Sequence, residues 1–342
     1  MKQNLKSSFP REILEKTARH IAESQTKEGA IPWFKGGHID TWNHTEALMG
    51  LAVCGYLHEA EAALEWLQRS QLDNGAWLSS YSSDETPLNR IETNFVAYPS
   101  VGLWHFYLVT GKKEVLTRYW PTIREAINFV LGHQCQSGEI TWEAGIDISS
   151  KPDALVTGNS SIYKSIECGI RIARLLGENS TQWEESRDRI GIAIRNKPQL
   201  FDRTWPSKSR YSMDWFYPIL CGVHKKQAAK NLLRAKWKTF VEPDKGCRCV
   251  ADEPWITAAE TSELAITLAS LGLRKDAVAL LSKILWHQDG DGGWWTGHVY
   301  ADNIFWPPEK PTWTGAAVIL AIDAIEELTD CLLYTSDAAD EE

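Results

Sequence analysis

Two kinds of helical segment alternate along the chain. Segments of the first kind are amphipathic, with charges on one side, and cover about residues 10–24, 57–70, 113–133, 180–196, 224–240 and 273–287. Segments of the second kind are rich in Ala, Gly, Leu and Ile, carry little charge beyond their first turns, and cover about residues 41–56, 92–110, 158–176, 211–221, 257–271 and 312–328. This alternation, with no competing strand pattern, predicts an all-α fold: an (α/α)6 toroid of six helical hairpins, with an inner and an outer helix ring.

A short repeat follows four of the amphipathic segments. In each copy a Gln is followed four residues later by Gly and then by Trp, in the stretches Gln25 to Trp33, Gln71 to Trp77, Gln134 to Trp142 and Gln288 to Trp294. Gly adopts the left-handed conformation that ends a helix, and the Trp ring covers the helix end. The gap before the last copy leaves room for two degenerate copies, near Trp205 and Trp255. We interpret the Gln and Trp residues mainly as ties between helices.

The starts of the predicted inner helices are the first candidate for a binding site. In a toroid these N-termini meet at one end, where free N–H groups and helix dipoles surround a funnel. Polar and aromatic residues occur there and in the neighbouring loops. The candidate substrate-binding residues are Asp40, Trp42, His44, Asn94, Tyr163, Arg210, Tyr211, Trp215, Trp255, Trp295 and Trp313. Helix capping is the alternative role for the polar residues, and Thr257 with Glu260 forms a capping-box pattern.

Carboxylates one turn inside these helices are the candidate catalytic groups. Glu46, Glu92, Asp214 and Glu263 stand among apolar neighbours, where an unpaired charge is costly. Arg90, Arg210, Lys310 and His44 are candidate counter-charges for them. The loop after the third amphipathic segment adds two further candidate catalytic acids, Glu139 and Glu143. We interpret Asp289 and Asp291 as turn residues, since no calcium-loop spacing follows them.

Composition narrows the choice of function. Hydrophobic residues make up 43% of the chain and charged residues 24%, as in an ordinary globular protein. The 17 Trp among 342 residues are unusually many, and their placement suggests loops that line a cavity. A net charge of -9 without a basic patch argues against nucleic acid as a partner. Seven scattered cysteines, including Cys247 and Cys249, predict reduced thiols and neither a metal site nor a cofactor.

Both ends of the chain affect its interpretation. Residues 1–6 lack the apolar stretch of a secretory signal, and no run of 18 apolar residues occurs, so we expect a cytoplasmic protein without a transmembrane segment. Residues 331–342, CLLYTSDAADEE, resemble a translated sequencing adapter of the kind found at the ends of metagenomic reading frames. We therefore expect one toroid domain over residues 1–330 and a non-native tail over 331–342.

The Gln-x3-Gly-x-Trp repeats resemble the QW motifs of squalene-hopene cyclases, and their periodicity is similar to that of the terpenoid cyclase and protein prenyltransferase superfamily. The chain also resembles uncharacterised bacterial proteins that are named prenyltransferase. The resemblance implies an enzyme that acts on an isoprenoid or related small-molecule substrate in a Trp- and acid-lined central cavity. The Asp-x-Asp-Asp acid of the protonating cyclases and the zinc-binding Cys of the prenyltransferases have no counterpart here.

A second resemblance leads to a different chemistry. The stretch from Thr110 to Ile123, followed by Gly138 to Glu143, is similar to the helix and acid-bearing loop of glucoamylase-like six-hairpin glycosidases. Such enzymes use paired carboxylates across a funnel whose aromatic rings stack on sugars. Glu139 or Glu143 would then donate a proton while Asp214 or Glu263 activates water. A carbohydrate hydrolase is thus the alternative prediction, and a non-catalytic binding protein is the second alternative.

Overall fold

The computed structural model describes residues 8–82, 90–144 and 153–331. The outer helices are α1 (Arg11–Ser24), α3 (Leu57–Ser70), α6 (Lys113–Leu131), α8 (Thr181–Asn196), α10 (Lys226–Phe240) and α12 (Arg274–Leu281), the last continued by a 3-10 segment, Ser282–His287. The inner helices are α2 (Thr41–Val53), α4 (Thr93–Ala97) with α5 (Pro99–Thr110), α7 (Val156–Leu176), α9 (Ser212–Leu220), α11 (Ala258–Ser270) and α13 (Thr312–Glu326).

The inner helices form a closed ring. Each packs against the next in the order α2, α5, α7, α9, α11 and α13, and α13 packs against α2. Small residues bring these helices close together: a Cβ on Gly50 of α2 would lie 2.9 Å from Cβ of Ala316 on α13. The outer helices bury only one side, as their amphipathic sequences require. The prediction of an (α/α)6 toroid is confirmed.

The second inner helix differs from the continuous helix predicted over residues 92–110. It is divided at Tyr98 into α4 and α5, and Pro99 occupies the first position of α5. Proline lacks the N–H that would continue the helical bonding of the preceding turn, so α5 begins where Pro99 stands.

The Gln residues of the repeat bind neighbouring outer helices. Gln71 Nε2 donates to the carbonyl of Gly75 in its own turn (2.8 Å) and to that of Thr122 on α6 (2.9 Å). Gln25 and Gln134 make the equivalent pairs of bonds, and Gln288 Nε2 reaches Ile13 and Thr17 on α1. Gly75 has φ of 87°, and a Cβ there would lie 2.6 Å from the carbonyl oxygen of Glu125. The interpretation of these Gln residues as ties is confirmed.

Strands occur only as short pieces in the described loops. β1 (Val241–Glu242) pairs with β2 (Gly246–Cys247), and β3 (Trp255–Thr257), β4 (Gly297–Val299) and β5 (Ile304–Phe305) form an antiparallel sheet in the order β3-β4-β5. The sequence pattern did not predict them because two or three residues are too few to show alternation. Among the described helices, none is long and apolar enough to span a bilayer.

Candidate functional site

The loops leading into the inner helices are long, whereas those leaving them are short, so the N-termini of the inner helices share one opening of the toroid. We call this opening, with the long loops around it, the mouth. Free N–H groups and the positive ends of helix dipoles converge there, which favours acidic and polar groups. The carboxylates at the mouth divide into those paired with Arg or Lys and those without such a partner.

Asp40 is the N-cap of α2 and lies at the mouth. One carboxylate oxygen accepts from the backbone N–H of Asn43 (2.8 Å), and the other accepts from the side-chain amide of the same residue. His38 Nε2 lies 3.7 Å from Asp40 Oδ2. The carboxyl is 3% exposed, and loss of hydration raises its pKa to about 6 in spite of the Asn43 hydrogen bonds. Asp40 is therefore partly protonated near neutral pH.

Glu260 lies in the first turn of α11, where the helix dipole favours a negative charge. It is 7% exposed, and the thiol of Cys249 lies beside its carboxylate; burial and then the charge of Glu260 raise the thiol pKa. The capping-box interpretation fails in part, because the Thr257 side chain caps nothing and its Oγ1 has no hydrogen-bond partner. Glu260 was not among the predicted catalytic residues because its sequence position matches a capping box, although it is an acid at the start of an inner helix like the others.

The helices that carry Asp40 and Glu260 meet across the toroid axis one turn deeper. Glu46 on α2 and Glu263 on α11 line one central cavity of about 150 Å³, and Glu46 helps to raise the pKa of Glu263, after burial. Burial raises the pKa of Glu46 to about 7. Since Asp40 precedes Glu46 and Glu260 precedes Glu263, both lie on the mouth side of this buried pair.

Aromatic rings separate the mouth from that cavity. Trp42 is stacked on Tyr98 with ring centroids 4.4 Å apart, and on Tyr217 at 6.2 Å. The hydroxyl of Tyr98 donates to Glu46, and that of Tyr217 donates to Glu263. The buried acids thus hold two tyrosines, and the tyrosines support Trp42. This arrangement makes Trp42 the floor of the mouth.

Glu92 and Glu143 stand on another side of the mouth and share Arg90. Arg90 lies 2.8 Å from Glu92 Oε1 and 3.5 Å from Glu143 Oε1, and its guanidinium covers the Trp142 ring at 4.3 Å. Trp142 Nε1 donates to Glu92 (3.1 Å). Burial raises the pKa of Glu92, opposed by the Arg90 charge, and Asp40 adds to the rise. Arg90 is the predicted counter-charge of Glu92, and the cluster orients a Trp ring near Asp40.

The remaining predicted acids have other surroundings. Glu139 is fully buried and lies 3.4 Å from Arg203. Asp214 has one buried oxygen without a hydrogen-bond partner, and desolvation raises its pKa to about 6. The charges that influence Asp214 are those of Asp202 and of Lys236 on outer helix α10. Asp202 lies in the long loop before α9 and Lys236 on the outer ring, so the charges that influence Asp214 are not those of Asp40 or Glu260.

Besides Asp40 and Trp42, six of the predicted substrate-binding residues border the mouth. Asn94 is buried with its side-chain oxygen unpartnered, and the Trp313 ring lies 5.9 Å from Trp33. Trp295 is stacked on Phe305 and covered by Lys310. Trp255 contacts Trp306, while Arg210 pairs with Asp252 and lies over Tyr211. Arg210 therefore does not serve as the counter-charge of Asp214, and Lys310 pairs with Asp289 and Asp291.

His44, Tyr163 and Trp215 pack between helix layers instead. The ring nitrogens of His44 lie 3.0 Å from the Ile31 backbone nitrogen and from the Ala63 carbonyl oxygen. Trp215 Nε1 donates to the carbonyl of Leu232 on α10 (2.9 Å). A Cβ on Gly191 of α8 would touch the Tyr163 ring. Their contacts are those of residues that join the inner ring to the outer ring.

One group of potential metal ligands lies at the opposite end of the central cavity. Donor atoms of His105, Asp323 and Cys331 lie within 4.8 Å of one another. Asp323, however, accepts hydrogen bonds from the backbone N–H and the hydroxyl of Thr329. Both carboxylate oxygens of Asp323 are therefore already hydrogen-bonded within the protein.

The chain is similar to several known proteins. No protein-family model matches the chain. The chain is 40% identical over 313 residues to the MMP endo-(1,4)-3-O-methyl-alpha-D-mannosidase of Mycolicibacterium hassiacum. The matched region covers 92% of this chain and 86% of that protein. A D-mannose isomerase has a similar fold, with a TM-score of 0.73, 14% identity and coverage of 95% and 100%. The GH63 mannosylglycerate hydrolase from Thermus thermophilus gives a TM-score of 0.70, 11% identity and coverage of 90% and 99%.

The prediction of a terpenoid cyclase or prenyltransferase is therefore wrong. The curated relative is a glycosidase, and the similar folds include a glycoside hydrolase. The physical reason for the error lies in the repeat, whose Gln residues bind the next outer helix and whose Gly residues permit its close approach. Such a repeat specifies the toroid and carries no information about the reaction. The carbohydrate alternative agrees with these comparisons, and so does the prediction of an enzyme.

Proposed function

The chain belongs to the family of the MMP endo-(1,4)-3-O-methyl-alpha-D-mannosidase of Mycolicibacterium hassiacum, and from this premise we propose that it hydrolyses α-(1→4) bonds within chains of 3-O-methylmannose. Asp40 is the general acid and Glu260 the general base. The observation that carries the assignment is the shared state of these two residues. In the described part of the chain, both are buried at the mouth, and neither has a Lys or Arg within ion-pair distance.

The protonation of Asp40 suits an acid. A general acid must hold its proton near the working pH, and burial raises the pKa of Asp40 to about 6. The proton passes from Asp40 to the glycosidic oxygen as the bond to the anomeric carbon breaks. The released sugar leaves as a neutral hydroxyl. Asn43 then stabilises the Asp40 carboxylate through its two N–H groups.

The position of Glu260 suits a base. As a carboxylate near the start of α11, it is stabilised by the helix dipole and can accept a proton from water. The oxygen of that water bonds to the anomeric carbon. Because α13 lies between α2 and α11 in the ring, the two helices are second neighbours, and adjacent helix axes are typically about 8–10 Å apart. This spacing favours a separation that admits water, as in inverting glycosidases.

The aromatic residues suit a sugar chain. Trp142, oriented by Arg90 and Glu92, is partly exposed and offers a ring to the apolar face of a sugar near Asp40, whereas the floor residue Trp42 is only 8% exposed. The methyl groups of a 3-O-methylated sugar add apolar surface that the Trp142 ring can cover. Glu92 is paired with Arg90 and orients Trp142 without transferring a proton, and Glu143 shares the same Arg90.

The test is hydrolysis of 3-O-methylated α-(1→4)-mannan chains, followed by product sizing and by NMR of the first anomer released. We expect internal cleavage with inversion of the anomeric configuration, and a rate that falls about 10³-fold or more in Asp40→Asn and in Glu260→Gln. Glu143→Gln is the matched control, because it changes an Arg-paired acid at the same mouth. Retention would assign Glu260 as a nucleophile. Full activity in either amide variant would remove the pair from the mechanism.

A further inference from the structure

Two of the most exposed large apolar side chains occur on one small sheet. Trp306 and Ile304 are 52% and 50% exposed, and apart from Trp286, at 55%, no other large hydrophobic side chain in the described ranges exceeds them. Both belong to the sheet formed by β3, β4 and β5, or to the residue directly after it. Exposed apolar surface of this kind is costly in water and marks interaction sites when it is clustered.

The strand register shows which residues share the exposed face. Trp255 is opposite Val299, and Val299 is opposite Ile304, so these three lie on one side of the sheet. The opposite side carries Phe305, which packs against Trp286 and Trp295. The sheet therefore has one side packed on protein and one side, with Trp255, Ile304 and neighbouring Trp306, turned to solvent.

The two Trp rings on that side are held in a fixed arrangement. Their centroids lie 5.1 Å apart at an interplanar angle of 73°, and Trp255 Nε1 donates to the Trp306 carbonyl (2.8 Å). The indole N–H of Trp255 is thereby hydrogen-bonded within the protein, while about half of Trp306 stays exposed. A rigid aromatic pair binds a flat apolar ligand face with little loss of conformational freedom.

This face is continuous with the mouth. β3 runs directly into α11, where Glu260 lies three residues after Thr257. On the other side, Trp306 N–H donates to Gly297 (2.9 Å), and the following residues lead to Glu309, which accepts from Trp33 Nε1 (3.0 Å). The sheet thus stands on the rim of the mouth beside the proposed base.

We infer that the face formed by Trp255, Ile304 and Trp306 is a subsite that binds methylated sugar units beyond the point of cleavage. This inference rests on the proposed function. An enzyme that cuts inside a chain must accommodate sugars on both sides of the bond, and the chain leaving the mouth past Glu260 meets this face. The hydrogen-rich face of a 3-O-methylated mannose is neutral and apolar, which matches two Trp rings and an Ile better than it would match a charged ligand.

The test compares Trp306→Ala with Leu232→Ala, which removes a similarly exposed apolar side chain (37% exposed) from outer helix α10. Substrates are 3-O-methylated α-(1→4)-mannan chains that fill the mouth only, and chains several sugars longer. We expect KM for the long chain to rise about tenfold in Trp306→Ala, with kcat and the short-chain KM unchanged, and no change in Leu232→Ala. Unmethylated chains should show a smaller effect.

Other results overturn the inference in recognisable ways. An unchanged long-chain KM, or an equal loss on short chains, shows that the face is no separate subsite. If size-exclusion chromatography finds a dimer in the wild type and a monomer in Trp306→Ala, the face is an interface between copies of the chain. Failure of the proposed function is distinguishable from failure of the subsite inference, because the wild-type protein would then hydrolyse no mannan chain of any length.

Discussion

Replacing Asp40 with Asn should abolish activity and yet stabilise the protein at alkaline pH. The difference between the ordinary pKa of 3.8 and the folded-state pKa of about 6 corresponds to ~3 kcal/mol of unfavourable burial when the group is charged. The sign follows from linkage. A carboxyl whose pKa is raised by folding contributes its stability below pH 3.8, and this contribution is lost as pH rises through about 6.

The amide removes the charge but also replaces an acceptor. Asn at position 40 can still accept from the Asn43 backbone, whereas the bond from the Asn43 side chain to the second oxygen is lost, at a cost of about 1 kcal/mol. The expected net gain at pH 8 is therefore about 1–2 kcal/mol, or ~2 °C in Tm. At pH 4 wild-type Asp40 is already neutral, so the gain should vanish and the lost hydrogen bond should leave the variant slightly less stable than wild type.

The assay is thermal unfolding of both proteins between pH 4 and pH 8, with hydrolysis rates measured on the same samples. Glu143→Gln serves as the control, because its carboxylate is more exposed and paired with Arg90. A variant that is equally stabilised at pH 4 and pH 8 would refute the argument from burial of the charge. A variant that cleaves substrate at the wild-type rate would refute the role of Asp40 as the acid.

Further predictions concern the floor, the Trp142 cluster and the ties. Glu46→Gln should be at least as stable as wild type at pH 8 in unfolding experiments, because the stability that Glu46 contributes below pH 4.5 is lost as pH rises through about 7; a loss confined to alkaline pH would contradict this. Arg90→Met should raise KM several-fold because Trp142 is no longer held in place, and Arg90→Lys should restore part of this loss. A fall in kcat as large as the rise in KM, with no recovery in Arg90→Lys, would contradict a positioning role. Gln71→Ala should lower the unfolding free energy by about 1–3 kcal/mol without changing kcat, whereas Gln227→Ala on the exposed side of α10 should not; equal effects would contradict the tie.

The helix rings were predictable because burial leaves a strong signal in the sequence. An inner helix such as α2 is buried along almost its whole length and an outer helix such as α1 on one side, and these states give apolar and amphipathic segments. The division of the second inner helix at Tyr98 depends on a single proline. The short strands depend on pairing between distant loops, which no local pattern records.

The site was less predictable because charge pairing is a tertiary property. Glu92 and Asp40 look alike as acids near inner helix starts, yet one has an Arg at 2.8 Å and the other has none in the described structure. The Trp residues of the repeat also differ in their surroundings, although the repeat itself does not show this. Trp77, two residues after its Gly, is fully buried, whereas Trp142, four residues after its Gly, reaches the mouth and bonds to Glu92.

The contacts of Gln288 have a consequence for how the molecule assembles. This residue and Trp294, from the last hairpin, both bind Thr17 on the first helix, and Thr312 of α13 donates to the carbonyls of Pro32 and Trp33. An open helical solenoid can grow one repeat at a time. Here the first hairpin lacks one of its two neighbours until the sixth is present, so the protein should unfold as one cooperative unit. A circular permutant opened at the short Gly111–Lys112 connection, with the old ends joined, would keep every one of these contacts.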